Sequence, residues 1–123
     1  MKSDILILDD DFALCKLLES ILSEKYNVVV CGSPALAISV LKSTQNISCI
    51  ITDLVLSGIT GIDFLKYLKG SGNFNSIPVI VMSAYWQIAD ECYEAGACCF
   101  IRKPINPDIL LEKLDDIVEL GVI

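Results

Sequence analysis

The sequence predicts an α/β protein, a doubly wound parallel sheet of five strands in (βα)5 order, folded as a single domain over residues 1–123. Three observations predict it. Strand-like apolar runs alternate along the chain with stretches whose apolar residues recur at the helical spacing. The runs are apolar throughout, not alternately polar, as strands buried on both faces between helical layers must be. Four of the runs deliver a polar residue at their C-terminal end, and that is the edge at which open α/β sheets bind ligands.

The elements follow in order. Residues 5–9 read as the first strand. Leu14, Leu17, Leu18, Ile21 and Leu22 then mark one face of a helix. Val28-Val29-Val30-Cys31 is a β-branched strand ending at Gly32. Ser33 and Pro34 have the chemistry of an N-cap and a first helical residue, and Leu36, Ala37, Ile38 and Leu41 run along the helix they open. Ile47 to Asp53 is the third strand, and Ser57, Gly58 and Gly61 form the loop after it. Ile62, Leu65 and Leu68 lie on the third helix, which stops at Gly70-Ser71-Gly72. The fourth strand is expected over Ile77 to Ser83, with Pro78 near its start, and the fourth helix over Gln87 to Gly96, with Ile88, Ala89, Cys92 and Ala95 inward. Cys98 to Ile101 is a short fifth strand. Asn106-Pro107-Asp108 opens the last helix with a cap, a first-turn proline and an acid suited to the helix dipole. Leu110, Leu114, Ile117 and Val118 face inward there, and Gly121 ends it.

Composition narrows the function. A hydrophobic fraction of 54% with 20% charged residues suits a packed domain and argues against disorder. Asp and Glu outnumber Lys and Arg 16 to 9, a net charge of −7, which repels phosphate backbones and argues against direct nucleic-acid binding. No basic amphipathic stretch suggests a membrane surface. The first apolar run is too short for a signal-peptide core, so a cytoplasmic location is expected. Six cysteines without a CxxC, in a chain lacking histidine, speak against zinc. Among apolar neighbours they read as small core residues, with a redox role for the adjacent Cys98 and Cys99 as the alternative.

The chemistry concentrates at strand ends. Asp9, Asp10 and Asp11 follow the first run, Asp53 the third, Ser83 the fourth and Arg102-Lys103-Pro104 the fifth. Crowded carboxylates repel one another and resist desolvation unless a positive charge sits among them. A hard divalent cation with oxygen ligands is the simplest remedy, and Mg²⁺ commonly takes one or two carboxylates together with phosphate oxygens.

These motifs, in this order on this scaffold, resemble the receiver domain of two-component response regulators over roughly residues 4–119. The resemblance implies the flavodoxin-like strand order 2-1-3-4-5 of chemotaxis-type receivers. It implies that Asp53 accepts a phosphoryl group from a histidine kinase or phosphotransfer protein. Asp9, Asp10 and Asp53 would hold Mg²⁺, with the backbone carbonyl of Val55. Lys103 would pair with a phosphoryl oxygen as a point charge, and the Ser83 hydroxyl would bond another, helped by the Ala84 N–H. Ser83 and Phe100 would form the switch, altering the surface of the fourth helix, fifth strand and fifth helix toward an output domain or downstream protein. Such a domain is not an enzyme beyond catalysing its own phosphorylation and dephosphorylation. The peptide before Pro104 is expected to be cis.

Several residues read in other ways. Asp11 is expected to cap the first helix. Ser57 replaces a proline common in the family, and Phe12 is either a core contact or a screen over the site. Apolar Val55 and bulky Tyr85 beside the phosphoryl position imply slow self-dephosphorylation. Trp86 is either a partly buried anchor or a partner contact. The fourth helix carries Asp90, Glu91 and Glu94 without a basic residue, and Lys113 stands alone on the fifth, which argues against a dimer built from cross-subunit salt bridges there. Two other functions remain in view. One is a phosphorylation-independent interaction module. The other is an aspartate phosphohydrolase similar to the haloacid dehalogenases, which would want a second Asp where Val55 stands.

Overall fold

The computed structural model describes residues 2–43, 46–56 and 58–120. Its elements are β1 (Asp4–Leu8), α1 (Phe12–Leu22), β2 (Asn27–Cys31), α2 (Pro34–Ser43), β3 (Ile47–Asp53), α3 (Gly61–Gly70), β4 (Val79–Ser83), a 3-10 turn (Trp86–Ile88), α4 (Ala89–Glu94), β5 (Cys99–Arg102) and α5 (Pro107–Leu120). All strand pairs are parallel, in the order β2-β1-β3-β4-β5. The expected architecture and strand order are therefore present. Ser57 and Gly121 lie outside the described residues.

Each central strand serves two cores because its side chains alternate between faces. Leu6, Leu8, Ile50, Val79 and Val81 pack on one side with Ala37 and Leu41 of α2, Phe64, Leu65 and Leu68 of α3, and Cys92 of α4. Ile5, Ile7, Cys49, Ile51, Ile80 and Met82 pack on the other with Cys15, Leu18 and Leu22 of α1 and Leu110, Leu114 and Ile117 of α5. β1, β3 and β4 are covered on both faces, which is why their sequences are continuously apolar. Edge strand β2 is only partly covered, and Val30 is exposed.

The caps follow local chemistry. Asp11 accepts the Leu14 N–H at 3.1 Å and so starts α1, as expected. Ser33 accepts from Leu36 at 3.2 Å, Thr60 from Asp63 at 3.1 Å, and Asn106 from Asp108 at 2.9 Å. After α4, Gly96 adopts φ +113°, the left-handed conformation that closes the helix. A β-carbon there would also lie 2.6 Å from the Lys69 side chain.

Some boundaries and faces differ from expectation. β1 ends at Leu8, one residue early, which frees Asp9 for the site. β4 begins at Val79 because Pro78 lacks the N–H needed to extend the ladder. The fourth helix opens as a 3-10 turn, and β5 is shifted by one residue to Cys99–Arg102. The α1 stripe centres on Cys15, Leu18 and Leu22, leaving Leu17 exposed; Leu36 of α2 is exposed likewise. Gly61 is the first residue of α3 rather than part of the loop.

Candidate functional site

Parallel order places the C-terminal ends of β1, β3, β4 and β5 along one edge, and the polar residues expected there converge. Asp9 is 2% exposed, buried together with Thr52 and Ser83. Its Oδ1 accepts the Asp11 N–H at 2.9 Å. Asp53, half-buried at the end of β3, accepts the Leu54 N–H at 2.7 Å. Asp10 is exposed at the rim. Oxygens of Asp9, Asp10 and Asp53 lie within 4.8 Å of one another. The Lys103 ammonium reaches in from the loop after β5, 3.2 Å from Asp9 Oδ2 and 3.4 Å from Asp53 Oδ1. The Lys103–Pro104 peptide is cis, as expected.

Burial pushes the Asp9 carboxyl up, and the Asp53 charge adds to this, against the opposing pull of the Asp11 N–H and Lys103. Burial alone would lower the Lys103 ammonium, but Asp53 and Asp9 outweigh it and raise the group above its ordinary value. Lys103 is thus firmly charged, while Asp9 resists ionisation. With all three carboxylates ionised, one ammonium would leave two negative charges uncompensated. An all-oxygen donor set with that residual charge fits a hard divalent cation and not a soft one.

Ser83 closes the fourth side. Its Oγ accepts the Tyr85 N–H at 2.9 Å, which leaves the hydroxyl proton free to be donated. Its backbone carbonyl accepts the Lys103 N–H at 2.9 Å, tying β4 to the lysine loop. Ala84 and Val55 are exposed next to the site. Phe12 is 75% exposed, so it is no core contact; with Asp9, Asp10, Cys15, Val30 and Gly32 it walls a shallow depression over the acids. Phe100 is half-buried against the α2–α4 core, and its N–H donates to the Tyr93 hydroxyl at 3.1 Å. Among the cysteines, burial first and nearby Asp9 second push the Cys15 thiol up to about 11. Burial likewise raises Cys98 and Cys99. Raising a thiol lowers its share of thiolate, which accords with the reading of these cysteines as packing residues.

Two contributors were not legible as such in the sequence. A β-carbon on Gly61 would lie 2.6 Å from the Asp53 carbonyl oxygen and 2.7 Å from Leu54 Cα, so only glycine lets α3 start against the end of β3. The Gly61 N–H donates to the Leu54 carbonyl at 2.6 Å. Arg102, whose guanidinium carbon lies 5.9 Å from the Trp86 ring centroid, is the second. It also revises the charge of the outer face: α4 is acidic, but Arg102 and Lys113 flank a depression with Phe100 and Ile109 between β5 and α5, so both signs are present.

A family model described as the response regulator receiver domain matches residues 5–115. The chain belongs to that family. It is 35% identical over 84% of its length to the two-component response regulator ORR3 of Oryza sativa subsp. indica, and covers 81% of that protein. It is 30% identical over 96% of its length to the 3',5'-cyclic-nucleotide phosphodiesterase regA of Dictyostelium discoideum, but covers only 16% of it. The chain likewise spans 18% and 40% of two further curated relatives. The signal receiver domain of a histidine kinase from Syntrophus aciditrophicus superposes with a TM-score of 0.87 at 27% identity, covering 98% of this chain and 92% of that one. Among the described residues no helix is long and apolar enough to cross a membrane.

Proposed function

We propose that this domain is a phosphorylation switch in which Asp53 accepts a phosphoryl group from a phosphohistidine on a kinase or phosphotransfer protein. The observation that carries the reading is the convergence of Asp9, Asp10 and Asp53 within 4.8 Å around an ammonium shared by Asp9 and Asp53. Asp9, Asp10 and Asp53, with the Val55 carbonyl, would hold Mg²⁺, whose charge neutralises phosphoryl oxygens.

The remaining work belongs to side chains. An Asp53 oxygen attacks phosphorus in line as the P–N bond to the donor imidazole breaks, and the imidazole leaves with its electron pair. Lys103 moves its charge from the carboxylates to a phosphoryl oxygen. The Ser83 hydroxyl donates to another. This is catalysis by positioning and electrostatics, with no proton taken from Asp53. Phe100 moves with Ser83 and changes the α4–β5–α5 surface that meets an output domain or a downstream protein. Apolar Val55 cannot orient an attacking water and bulky Tyr85 screens one, which favours a long-lived acyl phosphate. The domain acts as a signalling module in the cytoplasm, on itself and not on a substrate pool.

Incubation with Mg²⁺ and acetyl phosphate, followed by intact mass, tests the reading beside Asp53→Asn. One added phosphoryl mass, dependent on both Mg²⁺ and Asp53, is expected. Unmodified folded protein, with a phosphoramidate donor as well, would sink the reading in favour of a phosphate-independent interaction module.

A further inference from the structure

The loop between β4 and the 3-10 turn is clamped twice. At its start, Ser83 pairs with Arg102 in the ladder, and the Ser83 carbonyl accepts the Lys103 N–H at 2.9 Å. At its end, the Arg102 side chain returns over Trp86, with the guanidinium carbon 5.9 Å from the ring centroid. Adjacent residues thus hold the two ends of the loop, Lys103 through its backbone N–H and Arg102 through its side chain. Between the clamps the Tyr85 N–H holds the Ser83 Oγ at 2.9 Å. The core does not hold the contact in place: Trp86 is 54% exposed, Arg102 is exposed, and Arg102 makes no ion pair among the described residues. Attraction between the cation and the ring is what keeps them together.

We infer that Arg102 and Trp86 form a latch that holds the β4–α4 loop and so sets where the Ser83 hydroxyl stands at the phosphoacceptor. The inference rests on the reading of Asp53 given above. Arg102 is a positioning residue. It touches no reacting atom, and acts through Trp86 and the loop on Ser83. A hydroxyl drawn toward a phosphoryl oxygen takes Tyr85 and Trp86 with it, so the contact must shift as the domain switches. Latch strength therefore enters the rate at which Asp53 is modified.

Arg102→Gln removes the cation and keeps a polar chain; Arg102→Lys keeps the cation. Three quantities decide: the rate of phosphoryl gain from acetyl phosphate, the Mg²⁺ Kd by calorimetry, and the emission of Trp86, the single tryptophan of the chain. For Arg102→Gln the rate should change about two- to fivefold, the scale of one exposed cation–π contact. Mg²⁺ Kd should stay unchanged, Trp86 emission should shift to the red, and amide exchange at Tyr85 and Trp86 should quicken. Arg102→Lys should restore most of each effect. An Arg102→Gln protein with wild-type rate, emission and exchange overturns the latch. So does a parallel loss of Mg²⁺ affinity, or a lysine variant as impaired as the glutamine one. If the wild type takes up no phosphate, the phosphoacceptor reading falls by itself, while emission and exchange still decide the latch.

Discussion

Two charged clusters sit at opposite edges of the sheet, and they are built on opposite principles. Near the N-terminal edge, the buried Tyr26 hydroxyl donates to Asp115 of α5, and Lys25 bridges Asp115 at 3.0 Å and Glu119 at 3.1 Å. There, burial would raise the Asp115 carboxyl, but the Tyr26 hydroxyl and Lys25 overcome it and hold the group below its ordinary value. At the C-terminal edge, three carboxylates share one ammonium and Asp9 is pushed up. The first cluster sets one ammonium and a phenol hydroxyl against two carboxylates, a smaller excess of negative charge, and fastens α5 to the α1–β2 turn. The second leaves charge unsatisfied, which costs stability and creates affinity for something positive. A fold that tolerates one strained cluster has a better-satisfied one elsewhere, consistent with strain collecting at functional sites.

The contrast can be broken at several points. The largest effect is expected from Asp53→Asn, which should abolish the phosphoryl mass gain outright while the protein stays folded. Next is the cation itself. Mg²⁺ at about 100 times its Kd should stabilise the wild type by about 2.7 kcal/mol in thermal unfolding. Asp9→Asn should lose most of that gain, and a full gain in the variant would show that the acids do not hold the ion. At the better-satisfied cluster, Tyr26→Phe strips a hydrogen bond from a carboxylate and should cost roughly 1–3 kcal/mol in urea unfolding, independent of Mg²⁺.

A smaller effect of opposite sign is expected from Asp9→Asn without divalent ions. A carboxyl whose folded pKa is raised contributes stability below the ordinary carboxylate range and loses it as pH rises through the folded value. At neutral pH ionised Asp9 therefore destabilises, and its amide variant should melt higher in thermal unfolding. Asp115 runs the other way: its contribution is full above the ordinary range and disappears as pH falls through its lowered value. A neutral-pH Tm that falls in Asp9→Asn would mean that the Lys103 pair outweighs burial. Smallest of all, Lys25→Ala should barely lower Tm, and the difference should fade with salt, since its partners are a third to half exposed.

Much of the site was legible because a parallel sheet sends every strand end to one edge. Asp9, Asp53, Ser83 and Lys103 each follow an apolar run, so strand assignment alone brought them together. The caps at Asp11, Ser33 and Asn106 were legible because capping is local. What escaped is non-local. The contact of Gly61 with the Asp53 backbone depends on how α3 meets β3, which no short window of sequence contains. The contact of Arg102 with Trp86 joins the end of β5 to the 3-10 turn after β4. Leu17 and Leu36 look like core residues by spacing, yet lie beyond the width of the helix face that the sheet covers. Phe12 is apolar but sits on a helix start already occupied by the site, where there is no core to enter.

The alternation of β1 carries a consequence for how this chain can change in length. Ile5 and Ile7 face α1 and α5, while Leu6 and Leu8 face α2 and α3. Inserting or deleting one residue inside β1 would exchange the two sets and turn Asp9 away from Lys103 in the same stroke. Insertions inside the central strands are thus forbidden twice over, by packing and by chemistry. Exposed positions in the turns at the N-terminal edge, such as Gly72 and Asn73, bear neither constraint. Descendants of this sequence should lengthen there, at Gly72 and Asn73 ahead of buried Phe74, and keep the spacing from each strand to its polar residue intact.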